Sequence, residues 1–415
     1  MGEPEKNALS LVLSPLTLPD FMSQYWERET LHIERDANAH FNDILQMSDI
    51  ESLLSSRELL FPAVQLSCKR SPVAVTAYTD EGNRIVPRRL IEEYRRGATI
   101  VMSAAHQSLP ALAGFRRAVQ AELGLRCQTN LYLSPPGEQG FGAHYDSHDV
   151  FILQVHGSKT FNFHEGGIEM PYAHEGFDAA IHEPGELADS VILHAGDTLY
   201  IPRGVFHDAV AGDQASLHIT LGIHAMTLRD ALLEMVDVMA QADPRYRRSV
   251  PTELWRAWSE NGLADDASAG SVEALRDLLN VSLEEHHWQA ARTRLLDAVS
   301  LDNAQDCLGQ LTHPPGPWLP GTVICLRADA RIVTERQAER VSCRVPGQVM
   351  ELSDPLAQAF EQLLSRQVQA LSDWTALTED QRQALCEQLW QANIIEVVDE
   401  PTASAGAFDE PQDLQ

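Results

Sequence analysis

From Cys127 to His224 the sequence passes through short β-favouring segments broken by glycine and proline: CQTNLYLSPPG, HDVFILQVHG, KTFNFHEGG, SVILHAGDTLYIPRG and SLHITLGIHAM. Several short strands with turn signals and no helices between them restrict the region to a sandwich or barrel. The last segment indicates what such a barrel encloses. Leu217, Ile219, Leu221 and Ile223 fall on one face of a strand, and Ser216, His218, Thr220 and His224 on the other. A polar inner face is what a small barrel needs when it holds a polar ligand.

Within this region His144-Tyr145-Asp146 is an H-x-D pair, and on extended backbone residues i and i+2 point to the same side. A second imidazole comes from His207, in GDTLYIPRGVFH, or from His218, on the cavity-facing side of its strand. Periodicity alone does not separate the two. Two imidazoles and a carboxylate on one face of an octahedron leave open positions opposite, the facial triad of non-haem Fe(II) sites. An H-x-D also arises by chance on exposed surface, so the weight rests on what surrounds it. Lys159, after a Gly157-Ser158 turn, shares its face with Phe161 and Phe163, where alternation calls for an apolar side chain. A buried lysine is costly without an anion, and a carboxylate ligand reaching into the barrel supplies one. The alternative is a strand-end lysine that snorkels to solvent. His148, His156, His164, His174, His182 and His194 lack a strand-phased carboxylate and read as surface or supporting residues.

The remainder of the 415 residues divides by pattern. Residues 1–125 read as mixed helix and strand: a helix in LPDFMSQYW, a strand in ETLHIERD, a helix from Met47 with Ser48 as N-cap, a hairpin around Asp80–Asn83, a helix ending at Gly97, a buried strand ATIVMS, and a helix over Leu109–Leu123. Residues 226–312 are helix-periodic, a pattern of packing or subunit interface more often than of a functional site. After the linker THPPGPWLPG, residues 321–399 alternate short strands with the helices DPLAQAFEQLLSRQ and TEDQRQALCEQLWQANI, the composition of a small winged-helix module. Residues 400–415 carry acids and no base, and read as disordered.

A net charge of −29 argues against a surface built for nucleic acid, and the second of those C-terminal helices presents a single arginine, Arg382. The six cysteines are scattered with no C-x-x-C, which reads as reduced, intracellular and without a zinc site. MGEPEKNALS lacks a signal pattern and no apolar run is long enough to span a bilayer, so the expected location is cytoplasmic with no membrane association.

QTNLYLSPPGEQGFGAHYDSHDVFILQVHGSK, AGDTLYIPRGVFHDAV and SLHITLGIH together resemble the JmjC-type ribosomal oxygenases, closer to the bacterial members. The resemblance implies a double-stranded β-helix of the cupin type with α+β surroundings over 1–225, a helical dimerisation region over 226–312, and a C-terminal winged helix. It implies Fe(II), 2-oxoglutarate and O2, and hydroxylation of a side chain, at a β-carbon, in a ribosomal or other protein. Carried over residue by residue, the metal ligands are His144, Asp146 and His207, the last from the P-R-G-x-x-H position. Lys159 then pairs with the distal carboxylate of 2-oxoglutarate, Asn130, Tyr132 and Thr220 line the cosubstrate pocket, and His218 becomes a pocket residue. The sequence departs at Phe161, often tryptophan in the family, and in residues 164–190, which read as a variable insert and leave the substrate open. The rivals are the same chemistry on a free amino acid or biosynthetic peptide, a cupin-fold binding protein without catalysis, and lysyl demethylation. The last calls for an aromatic cluster that the sequence does not display.

Overall fold

The computed structural model describes residues 8–249, five positions between 288 and 295, and 318–398 apart from isolated interior positions. It divides into two compact units after Leu228.

The first unit runs α1 (Ala8–Leu13), α2 (Leu18–Gln24), β1 (Leu31–Ile33), α3 (Met47–Ser56), β2 (Val64–Ser67), α4 (Val75–Tyr78), α5 (Pro87–Arg95), β3 (Thr99–Met102) and α6 (Pro110–Leu123), then β4 (Arg126–Ser134), β5 (Asp149–His156), β6 (Ser158–His164), β7 (Leu187–His194), β8 (Thr198–Ile201), β9 (His207–Ala211) and β10 (Ser216–His224). The strands form an antiparallel sheet in the order β1-β8-β5-β10-β4-β3-β2 and a smaller one in the order β7-β6-β9. Alternation along the central strands explains both packed layers. Leu217, Ile219, Leu221 and Ile223 of β10, with Phe151 and Leu153 of β5, join Phe21, Phe41, Leu112 and Val119 from the N-terminal segments in one core. Val150, Ile152, Leu199 and Ile201, on the other side of the large sheet, meet Phe161, Phe163 and Leu193 of the small one. Because the large sheet is covered on both faces, β10 reads as a nearly continuous buried run. Arg126–His224 therefore encloses a space between two sheets, and its polar residues line the part the second core leaves unfilled.

Two local expectations are corrected. α3 is capped by Gln46, whose side chain and the Asp49 carboxylate make a reciprocal capping box, so Ser48 lies inside the helix. Around Asp80–Asn83 the turn forms, with Asp80 Oδ1 accepting from the backbone N–H of Gly82 and Arg84 at 2.9 and 3.0 Å. Its upstream arm, however, is the one-turn helix α4, joined to the downstream arm through the single bridge Thr79↔Ile85.

The second unit contains α7 (Leu228–Ala242), which begins at the boundary, β11 (Val323–Leu326), β12 (Val333–Gln337), β13 (Arg340–Val345), β14 (Gln348–Ser353), α8 (Leu356–Arg366), β15 (Val368–Ala370), α9 (Glu379–Gln391) and β16 (Ile395–Val397). Two three-stranded sheets, β12-β13-β14 and β15-β11-β16, share a core with Phe360, Leu363, Trp374, Leu385 and Leu389. β12 and β15 are not visible in the sequence. VTERQ and VQA carry too few apolar residues to mark a strand and are held by backbone pairing to β13 and β11. The helices expected over 250–312 and the tail after 400 lie outside the described residues, five positions excepted. Among the described residues no helix is long and apolar enough to cross a membrane.

Candidate active site

β5 and β8 pair antiparallel as far as Val150↔Ile201, and the same register reappears six residues further along each chain as the isolated bridge His144↔His207. Between those two points the ladder opens. The opening is bridged by the Gly204 N–H donating to the Asp146 carbonyl at 2.9 Å, and closed by reciprocal bonds between His144 and His207 of 3.0 and 2.8 Å. His144, Asp146 and His207 consequently offer one ligand atom each within 4.8 Å of one another. The alternation of H-x-D sends Tyr145 the opposite way, where it is buried against Phe177, His182 and Phe206.

The donor set suits a divalent transition metal. His144 Nδ1 lies 2.9 Å from the Gly142 carbonyl and His207 Nδ1 3.0 Å from that of Val205. Each carbonyl can only accept, so each Nδ1 carries the proton and each Nε2 presents its lone pair. Burial, and then the neighbouring His144, hold the His207 pKa below its ordinary value, against the pull of Asp146. The ring stays neutral, as a ligand must.

Beside the triad lies a cavity of about 270 Å³, lined among others by Thr99, Tyr132, Phe141, Lys159, His218 and Thr220. Lys159 is 4% exposed, so the side chain is buried as strand phase predicts and does not snorkel. Its Nζ donates to Ser134 Oγ at 3.0 Å, and that hydroxyl lies 2.9 Å from Thr99 Oγ1. No carboxylate among the described residues pairs with the ammonium, and burial lowers its pKa to about 7. His218 stacks on Tyr132 with centroids 5.0 Å apart, and its buried Nδ1 has no hydrogen-bond partner among the described residues. Burial and the Lys159 charge hold its pKa well below the ordinary histidine value, while burial and Asp146 push the Tyr132 phenol up to about 12. A buried ammonium without a counter-ion, an orphaned ring nitrogen and three hydroxyls make a receptor for a small carboxylate. Asn130 lies one step back. Its Oδ1 accepts from the Ala104 N–H at 3.0 Å, and it sits two residues before Tyr132 on the same face of β4.

Some of this was missed in the sequence. Ser134 is two residues beyond Tyr132 on the same face of β4, so its phase pointed to the cavity. Thr99 arrives from β3 through the β3–β4 pairing, which no local signal announces. Phe141, 41% exposed, lines the cavity 5.9 Å from His144, an aromatic surface that the sequence did not display, while Phe177, 6.3 Å from His144, packs with Tyr145 and Phe206.

Residues 105–231 match the JmjC domain. Over that stretch the chain carries a JmjC domain. It is similar to the bifunctional lysine-specific demethylase and histidyl-hydroxylase NO66 of Aedes aegypti, 30% identical over 255 residues, which cover 59% of this chain and 39% of that protein. With ribosomal oxygenase 1 of Gallus gallus it shares 26% over 304 residues, 71% of this chain and 48% of the relative. The chain thus spans less than half the length of these relatives. Among solved structures, ribosomal oxygenase YcfD from Escherichia coli superposes with a TM-score of 0.54 at 18% identity, covering 93% of this chain and 99% of that one. The same protein in complex with cobalt and 2-oxoglutarate gives 0.55 at 18% identity, over 92% and 98%. At that identity the likeness establishes a shared JmjC cupin-type fold.

Proposed function

We propose that this protein is an Fe(II)- and 2-oxoglutarate-dependent oxygenase that hydroxylates a side chain, at a β-carbon, in a ribosomal or other protein. The observation that carries the reading is the conjunction of a complete two-histidine, one-carboxylate set with a buried, unpaired lysine in the adjoining cavity. His144, Asp146 and His207 hold the iron. Lys159 and Ser134 take the distal carboxylate of 2-oxoglutarate, with Asn130, Tyr132, Thr220 and His218 lining its path. Iron, when bound, supplies the coupled oxidation in which 2-oxoglutarate, O2 and a C–H bond give succinate, CO2 and a C–OH. The chain contributes neutral imidazoles with fixed tautomers, a carboxylate anchor that sets the cosubstrate's orientation, and apolar walls from Ile152 and Phe161 that exclude water.

The names of these relatives, a histidyl-hydroxylase and a ribosomal oxygenase, support a protein substrate. A free amino acid or biosynthetic peptide uses the same machinery and differs only at the mouth. A binding protein without catalysis has no need of an intact triad beside a destabilising lysine. Lysyl demethylation, part of the NO66 name, gains support from Phe141 as a wall for a methylated ammonium. We further propose a homodimer built on the helical region, since α7 exposes Leu228, Leu232 and Leu233, and a cytoplasmic, winged-helix-bearing protein that does not engage nucleic acid. Incubation of the iron-loaded protein with 2-oxoglutarate and a digest of ribosomal proteins tests the reaction class. A peptide gaining about 16 mass units is expected, and one losing about 14 would establish demethylation instead.

A further inference from the structure

The opened stretch of the β5–β8 ladder is spanned by a buried polar network that none of the metal ligands belongs to. Asp149 is fully buried, and its Oδ1 accepts from the Tyr200 hydroxyl at 2.7 Å and from the Arg203 N–H at 3.4 Å. Arg203 Nη1 donates to Asp149 Oδ2 at 2.7 Å and to Glu27 Oε1 at 2.6 Å. The Tyr200 hydroxyl in turn accepts from the Glu27 N–H at 2.9 Å, and Glu27 adopts a left-handed backbone with φ of 58° to make both contacts. Tyr200 is wedged between Phe21 and Trp26, which places Glu27 directly after the aromatic nest that covers β8. The network has three corners. Asp149 follows Asp146 by three residues, Arg203 precedes His207 by four, and Glu27 comes from the N-terminal segment.

Backbone that leaves a ladder loses the hydrogen bonds that fix its spacing. Here one of the two opened segments carries the carboxylate and both end at the bridge that joins the two imidazoles, so their separation decides whether the three ligand atoms converge. A buried ion pair is weak evidence for stability and is better suited to specifying one geometry. Outer groups that orient metal ligands are worth about 10- to 100-fold in metal affinity.

We propose that Asp149, Arg203, Tyr200 and Glu27 are positioning residues that hold the opened ladder at the spacing the metal centre requires, so that the N-terminal segment is part of the site. The inference rests on the metal-centre reading above. It assigns to these side chains no contact with metal, cosubstrate or substrate.

Titration of the full-length metal-free protein with Co(II), followed by its d–d absorption, tests it. The variants are Arg203→Gln, Tyr200→Phe and Glu27→Gln. The latter two each remove one polar atom or charge and keep the side chain's volume, so they remain informative if Arg203→Gln fails to fold. Leu112→Ala, in the core behind the large sheet, serves as a control that lowers the melting temperature without touching the network. Co(II) affinity is expected to fall about 10-fold or more in Arg203→Gln and several-fold in the other two, with altered band positions, while Leu112→Ala binds as wild type does. Affinities within twofold of wild type across the network variants would overturn the inference. Failure of the wild type to bind Co(II) would overturn the metal-centre reading and the inference with it.

Discussion

Lys159→Met is expected to leave a more stable protein that no longer binds 2-oxoglutarate. Burial lowers the Lys159 pKa from 10.5 to about 7, with no carboxylate among the described residues to offset it. The sign follows from proton counting. Between pH 7 and 10.5 the unfolded chain holds a proton that the folded chain releases, so stability rises with pH across that window, and the penalty is largest at and below pH 7. Each pH unit corresponds to about 1.4 kcal/mol, so replacement by a neutral side chain of similar length should gain on the order of 2–4 kcal/mol near neutrality, less the lost bond to Ser134. Urea denaturation at pH 6.5 and at pH 9.5 measures it: the gain should be large at the first and small at the second. Cosubstrate affinity moves the other way. Deleting one partner of a buried charge pair costs about 2–5 kcal/mol, a loss from roughly 30-fold to several thousand-fold. A variant that is destabilised, or that binds 2-oxoglutarate normally, would mean that the lysine serves packing.

The same group makes cosubstrate binding pH-dependent. In the free protein Lys159 is about half charged near pH 7, and a bound carboxylate favours the charged form. Above that pH, binding therefore takes up a proton. The dissociation constant of 2-oxoglutarate for the Mn(II)-loaded protein should weaken by up to tenfold per pH unit from 7.5 upward. Calorimetry at pH 8.5 in two buffers of different ionisation enthalpy should report uptake of nearly one proton. His218 contributes nothing in this range, because burial and Lys159 already keep it neutral. Binding without proton exchange would contradict the account of Lys159 as the anion's partner.

What was legible in the sequence follows from the two-residue period of strands. That period put His144 with Asp146, set Lys159 among Phe161 and Phe163, and turned His218 and Thr220 inward, and the structure gathers all five polar side chains, with Tyr132 and His207, around one cavity. The choice between His207 and His218 was not legible by phase, since both come from β elements facing the same space. It turns on distance: His207 pairs with His144 across the reopened ladder, whereas His218 stacks on Tyr132. Thr99, the Asp149–Arg203 pair and the Phe141 wall depend on which strands and loops become neighbours, and local pattern does not encode that. Ser48 failed as a cap for a smaller reason: Gln46 with Asp49 made the reciprocal bonds two residues earlier than a serine rule anticipates.

The most direct test of the central claim is Fe(II)-dependent conversion of 2-oxoglutarate to succinate by the wild-type protein and by His207→Ala, each with and without the ribosomal-protein digest. The account predicts succinate from the wild type, more of it when the digest is present, and none above background from the variant, which should remain folded because His207 lies at the end of β9 and outside both cores of the first unit. No succinate from iron-loaded wild-type protein, or equal amounts from the variant, would contradict it.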